Sequence, residues 1–238
     1  LNAAGDKAVP SLRSCISGGA SLPGEVLRAF EAEFDCIILE GYGLSETSPA
    51  ASFNVPESPR KVGSVGRALP GVQMRVVDSQ GEDVPDGEVG EIVIRGENLM
   101  RGYWGRPDAT AEAIPDGWFR SGDLGIRDGD GYFAIVDRKK DMIIRGGYNV
   151  YPREVEEVLY EHPDVVEAAV VGVPDEHLGQ EVAAAVALRP GSEASADDIR
   201  DYVRDQIAGY KYPRVVWIRE SLPKGPTGKI LRRELRPQ

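Results

Sequence analysis

The sequence predicts a multidomain chain of mixed α/β and α+β structure. It reads as the end of an α/β sheet over residues 1–60, a small antiparallel, barrel-like sheet over 61–137 and a C-terminal α+β domain over 138–238. Three observations carry this reading. Two short apolar runs flank an amphipathic helix near the start, alternation of apolar and polar residues sets in from about Lys61, and helical spacing with a capping signal returns in the last third. In the first region, "SLRSCISGGASLPGEVLRAFEAEF" reads as a strand to about Ser17, a Gly-Gly turn and a helix with Pro23 in its first turn, where a missing N–H costs nothing. The strand "CIILE" completes a βαβ unit, and its small polar turns fall at the carboxyl ends of the strands, where open α/β sheets bind ligands.

In the middle region, "GVQMRVVDSQGEDVPDGEVGEIVIRG" alternates apolar and polar residues around Ser79-Gln80-Gly81 and Pro85-Asp86-Gly87 turns, which is the pattern of antiparallel strands. "DGDGYFAIVDR" adds one more turn and strand. From "KKDMIIRGG" onward a strand-helix-strand order is expected, with Val155, Val158 and Leu159 at helical spacing in a helix beginning near Pro152. Ser195 and Asp198 form a capping box ahead of Ile199, Val203 and Ile207 on one helix face.

With 238 residues, 41% hydrophobic and 28% charged, the chain can bury a sizeable core. A net charge of −11 excludes a general nucleic-acid binder, which would need a basic face. The stretch from Tyr210 to Gln238 nevertheless carries eight Lys or Arg against two Glu, which reads either as a solvated basic end or as a site for a phosphorylated ligand. Cys15 and Cys36, without a CxxC pair, fit a reducing cytoplasm and inert core positions. No apolar run approaches the roughly 18 residues of a membrane span and no signal-peptide pattern opens the chain, so a cytoplasmic location without a stable membrane span is expected. The start at Leu1 without Met reads as a piece of something longer.

Four stretches carry chemistry. "CIILEGYGLSETSP" runs a strand into Gly41-Tyr42-Gly43 and then supplies Glu46 where a dinucleotide fingerprint wants its third glycine. An uncompensated carboxylate there would repel a pyrophosphate. A magnesium ion between Glu46 and the phosphates removes the conflict, because magnesium takes one or two carboxylates together with substrate phosphate oxygens. That points to ATP. "GWFRSGDLG" places Asp123 in a tight turn after an aromatic strand, where a carboxylate can accept from both hydroxyls of a ribose. "DRKKDMIIRGGYNVYPREVE" brings Arg138 within reach of the same ribose and sets Lys139, Lys140 and Asp141 at a domain junction. In "PKGPTGKILRREL" the glycines are too close for a Walker loop and no Ser or Thr follows Lys229, which suits a mobile point charge reaching a developing negative charge.

The ordered set SGGA, GYGLSE, SGD, DRKKDMIIRGGYN and PxxxTGK resembles the adenylate-forming family of acyl-CoA synthetases, nonribosomal-peptide adenylation domains and firefly-type luciferases. The likeness runs over essentially the whole chain and is strongest to the C-terminal half of bacterial fatty-acyl-CoA ligases. It implies that Ser17, Gly18, Gly19, Ala20 and Tyr42, with Gly43 beside them, form the adenine site, Tyr42 stacking on the base. Ser45 would contact the α-phosphate, Glu46 would hold magnesium, and Asp123 and Arg138 would grip the ribose. Lys140 matches the hinge of a mobile C-terminal domain, Lys229 the lysine of the adenylation step, and Gly147 the pantetheine channel.

The reaction implied joins a carboxylic acid, expected to be a fatty acid, to coenzyme A through acyl-AMP, with ATP consumed and pyrophosphate and AMP released. Neither step needs a strong protein base, so His162 and His177 are expected to be structural. The family's phosphate loop, which lies ahead of SGGA, has no counterpart here. An aryl-acid or amino-acid adenylating enzyme, and a non-catalytic AMP- or CoA-binding fragment, are the alternatives.

Overall fold

The computed structural model describes residues 9–226 and 228–235, and the chain divides into two units between Lys139 and Lys140. In the first unit, β1 (Ser14–Ser17) and β2 (Ile37–Tyr42) pair in parallel, from Ser14 opposite Ile37 to Ser17 opposite Glu40, with α1 (Gly24–Phe34) as the crossover. This is the expected βαβ unit. Pro23 stands at the N-cap of α1 rather than inside its first turn, and the helix stops at Asp35, whose φ of 45° is left-handed and therefore non-helical. Two short antiparallel strands, β3 (Ser52–Phe53) and β4 (Arg67–Ala68), extend this sheet in the order β1-β2-β3-β4. Cys36 is buried, but Cys15 is only half-buried because β1 pairs on one side alone, so just one of the two expected core cysteines is a core residue.

The rest of this unit is an antiparallel meander of β5 (Val72–Val77), β6 (Gly90–Gly96), β7 (Phe119–Arg127) and β8 (Phe133–Arg138), with α2 (Pro107–Ala113) between β6 and β7. Its central strand β6 is buried from Gly90 to Ile94, and Ile92 and Ile94 pack with Met74, Val76, Phe119 and Phe133. Asp123 lies within β7, opposite Arg138 on β8, and not in the tight turn expected for it. Gly122, at a φ of 70°, accommodates the irregularity between β6 and β7 as a bulge, so pairing continues through "SGD" instead of ending there.

In the second unit β9 (Ile143–Arg145) and β10 (Tyr148–Val150) form a hairpin where a single strand was expected. The reason is Gly146-Gly147, both at positive φ (57° and 86°), which turns the chain back on itself. There follow α3 (Pro152–Glu161), β11 (Val165–Asp175), β12 (Gly179–Leu188), α4 (Ala196–Arg204) and β13 (Val215–Arg219). Strand β12 is central, antiparallel to β11 and parallel to β13, and residues Val182 to Ala187 are wholly buried. Val155 and Leu159 of α3 and Ile199 and Val203 of α4 share one core with Val170, Val182 and Val186. The expected capping box is present: Asp198 N–H donates to Ser195 Oγ at 3.2 Å, and Ser195 N–H to Asp198 Oδ2 at 2.9 Å. Ile207 packs on the same core from beyond the end of α4.

The hairpin base is tied to β12 by Arg145, whose Nε and Nη2 donate to Glu181 at 2.5 and 2.8 Å. Burial raises the Glu181 carboxyl, but the Arg145 guanidinium and the Val182 N–H together outweigh it and hold the group below its usual range. A carboxyl depressed in the folded state stabilises the fold above its unfolded pKa of about 4.3, and that contribution is lost as pH falls through and below this value. Glu181→Gln is therefore expected to flatten the acid side of the stability profile. Thermal melts followed by circular dichroism should show a shallower fall in Tm between about pH 5 and pH 3 than the parent chain gives. Equal slopes would assign the acid loss to other carboxylates.

Candidate functional site

Because β1 and β2 run in parallel register, Ser17 ends its strand beside Glu40, and the Gly18-Gly19-Ala20 turn leaves the sheet next to Gly41-Tyr42-Gly43. The two turns are close, since a Cβ built on Gly18 would lie 3.4 Å from the Gly41 carbonyl oxygen. Ser17 is half-buried, and Gly18, Gly19 and Ala20 are exposed.

Tyr42 ends β2 and donates its hydroxyl proton to Asp123 Oδ2 at 2.7 Å. Burial first, and the Asp123 carboxylate second, push the Tyr42 phenol far up, so it remains a donor at neutral pH. Asp123 is 5% exposed, and its Oδ1 lies 3.3 Å from Nε of Arg138, whose side chain is 44% exposed. A chain of polarity thus runs from a phenol through a buried carboxylate to a guanidinium that reaches solvent. An anionic carboxylate has about four lone-pair sites, enough for Asp123 to meet both Tyr42 and Arg138.

Past Tyr42 the chain makes a tight 3-10 turn over Ser45–Thr47. The buried Thr47 hydroxyl accepts from the Leu44 N–H at 2.9 Å and donates to the Leu44 carbonyl at 3.0 Å, pinning the turn to its own entry. Gly43 is required here: a Cβ would sit 1.8 Å from the Pro49 carbonyl oxygen and 2.7 Å from the Ala50 Cα. Ser45 is exposed on the turn and Glu46 is partly so. The turn is held from outside by a segment that sequence reasoning missed. Asn98 Nδ2 donates to the carbonyls of Thr47 (3.2 Å) and Ala50 (2.8 Å), Met100 N–H donates to the Glu46 carbonyl (2.8 Å), and Tyr103 Oη donates to Glu46 Oε1 (2.9 Å). Burial and the Glu46 carboxylate raise the Tyr103 phenol. These contacts span about fifty residues of chain and leave no periodic signal in "NLMRGYWGRP".

Among the described residues no group of three or more His, Cys, Asp or Glu could hold a metal ion. Glu46 is thus a single carboxylate on an exposed turn, which fits a magnesium ion arriving with phosphate oxygens better than a resident protein cage. A surface hollow lined by Gly71, Gln73, Arg95, Gly96, Glu97 and Gly117 contains none of the predicted site residues.

Lys140, Gly147 and Lys229 belong to the second unit. Lys140 is exposed at its first position, and Gly147 is exposed at the β9–β10 tip with open space where a Cβ would be. The Lys229 carbonyl accepts from the Gly225 N–H at 2.8 Å beside a bridge between Lys224 and Ile230, and Gly228 takes a φ of 81°. Thr227 of this motif lies outside the described residues. His162 Nδ1 accepts from the Asp164 N–H at 3.1 Å, and the backbone N–H of the exposed His177 donates to Asp175 Oδ1 at 2.9 Å. Several cations of the basic end are ion-paired, Lys211 with Glu154, Lys224 with Glu167 and Arg232 with Glu156. No helix among the described residues is long and apolar enough to cross a membrane.

Residues 1–104 match the family model for AMP-binding enzymes, and residues 154–229 the model for the AMP-binding enzyme C-terminal domain. The chain is 45% identical over 226 residues to a long-chain-fatty-acid–CoA ligase of Bacillus subtilis, covering 94% of this chain and 40% of that protein. It is also 45% identical over 238 residues to a sulfoacetate–CoA ligase of Cupriavidus necator, covering 99% and 46%. The crystal structure of the anthranilate CoA ligase AuaEII in complex with anthranoyl-AMP superposes with a TM-score of 0.87 at 34% identity, over 94% of this chain and 44% of that one. The chain therefore spans less than half the length of these relatives.

Proposed function

The chain belongs to the AMP-binding enzyme family, and from that premise we propose that it is the nucleotide- and CoA-handling part of an ATP-dependent acyl-CoA ligase. In this reading a carboxylate attacks the α-phosphate of ATP, acyl-AMP and pyrophosphate form, and the coenzyme A thiol then displaces AMP. The observation that carries the reading is the Tyr42–Asp123–Arg138 chain, a buried anion presented between a fixed donor and a solvent-reaching cation beside the two strand ends. Asp123 and Arg138 hold the ribose, Tyr42 and Ser17 to Ala20 the base, with Gly43 keeping the turn close. Ser45 meets the α-phosphate. Magnesium, when bound with ATP at Glu46, neutralises phosphate charge.

The division into 1–60, 61–137 and 138–238, the hinge at Lys140 and the cytoplasmic location belong to the same proposal. The boundary between Lys139 and Lys140 supports the hinge. A fatty acid is the proposed substrate, supported by the Bacillus subtilis relative. An aryl acid or an amino acid is the alternative substrate, the aryl acid supported by the likeness to the anthranilate ligase. Because the chain spans under half of its relatives, a non-catalytic AMP- or CoA-binding module is the second reading for the chain by itself.

Asp123→Ala is expected to weaken AMP binding by about 1.5–3 kcal/mol, the loss typical of hydrogen bonds to a charged group. Isothermal titration calorimetry on the 238-residue chain measures it. Unchanged affinity would remove the ribose assignment.

A further inference from the structure

We propose that Tyr103 is a positioning residue for Glu46: the Asn98–Tyr103 segment clamps the Ser45–Thr47 turn and aims one carboxylate oxygen of Glu46 at a divalent cation carried by a nucleotide phosphate. The inference rests on the nucleotide-site reading above and deepens it. The clamp acts at both ends of the same residue. Met100 N–H holds the Glu46 carbonyl at 2.8 Å, and the Tyr103 phenol holds Oε1 at 2.9 Å. Asn98 fixes the carbonyls at the end of the turn and just past it, at Thr47 and Ala50. Backbone and side chain are therefore oriented by a single neighbouring segment.

The identity of the donor matters. Glu154, Glu156, Glu167 and Glu181 are each paired with a Lys or Arg. Glu46 instead receives a neutral phenol, which fixes its rotamer without cancelling its charge. The hydrogen bond occupies Oε1, and among the described residues no hydrogen bond reaches Oε2. A carboxylate held in this way offers one oxygen and a full negative charge, the monodentate mode suited to the strict octahedron of magnesium. Outer partners that orient a ligating carboxylate typically govern metal affinity by about ten- to hundredfold.

The test separates orientation from folding and from the Glu46 assignment itself. Manganese(II)·ATP binding to the 238-residue chain is followed by water-proton relaxation enhancement, and AMP binding in EDTA by calorimetry. Tyr103→Phe is expected to weaken manganese(II)·ATP binding by about tenfold or more while leaving metal-free AMP binding unchanged. Glu46→Gln is expected to lose at least as much, and the double variant no more than Glu46→Gln alone, because the phenol acts only through that carboxylate. If Glu46→Gln loses the metal-dependent affinity and Tyr103→Phe does not, the positioning role is wrong and the Glu46 reading stands. Equal losses of AMP and manganese(II)·ATP in Tyr103→Phe would reduce Tyr103 to a packing residue. An unaffected Glu46→Gln would overturn the Glu46 reading and the positioning role together.

Discussion

If the chain is part of a longer ligase, as proposed, Lys229→Ala in that ligase is expected to slow acyl-AMP formation by about 10²–10³ while leaving thioester formation from supplied acyl-AMP nearly intact. In the proposed mechanism Lys229 neutralises charge that develops on the α-phosphate as the carboxylate adds. That interaction is made mainly in the transition state, so its loss falls on rate rather than on binding. The second step would run after a rearrangement of the C-terminal domain has carried the lysine away. Gly147→Leu is the converse: at a hairpin tip with open space around it, a branched side chain, strained at a φ of 86°, should obstruct the pantetheine approach and spare pyrophosphate release, and Gly147→Ala, with the same backbone strain and a small side chain, is its control. Measuring pyrophosphate release and thioester formation for both variants decides the matter. Equal losses in the two steps for Lys229→Ala would rule out alternation between half-reactions.

Gly43→Ala should be among the most damaging single methyl groups in the first unit. The added carbon would meet the backbone oxygen of Pro49 at 1.8 Å and the Ala50 Cα at 2.7 Å, and neither can rotate away as a flexible side chain would. Overpacking of this kind costs about 1–3 kcal/mol, and more where backbone meets backbone. The displaced segment is the Ser45–Thr47 turn, so AMP affinity should fall together with the urea midpoint. Gly129→Ala, where the new carbon meets nothing within 4 Å, is the control and should leave both unchanged. A Gly43→Ala chain as stable as the parent would mean that strand and turn do not pass as closely as described.

What was legible in the sequence was whatever is written locally. The βαβ unit follows from two apolar runs and a helix between them, and the Ser195–Asp198 capping box from two residues three apart. The approach of Tyr42 to Asp123 needs a contact across 81 residues, which no pattern within either motif encodes; only the ordered set of motifs suggested that they share a ligand. Ser-Gly-Asp has turn composition, but pairing with Arg138 across β7 and β8 holds Asp123 in a strand. The Asn98–Tyr103 clamp was invisible for the same reason: its hydrogen bonds go to backbone carbonyls and one carboxylate far away in the chain.

The loop that presents Lys229 is closed at its base by hydrogen bonds from Gly225 N–H to the Lys229 carbonyl and from Leu231 N–H to the Pro223 carbonyl, both at 2.8 Å. It is flanked by the Lys224–Glu167 and Arg232–Glu156 ion pairs. This is a very short leash. A residue on a long flexible tether explores a volume of its own, and its effective concentration at a target depends on linker length. Lys229 stands at that closure itself, so its backbone is carried by the unit rather than by a linker. The effective concentration of that charge at any phosphate is then a property of where the whole unit stands. Lengthening the loop with glycines, which would help a tethered group search, should here only dilute the lysine.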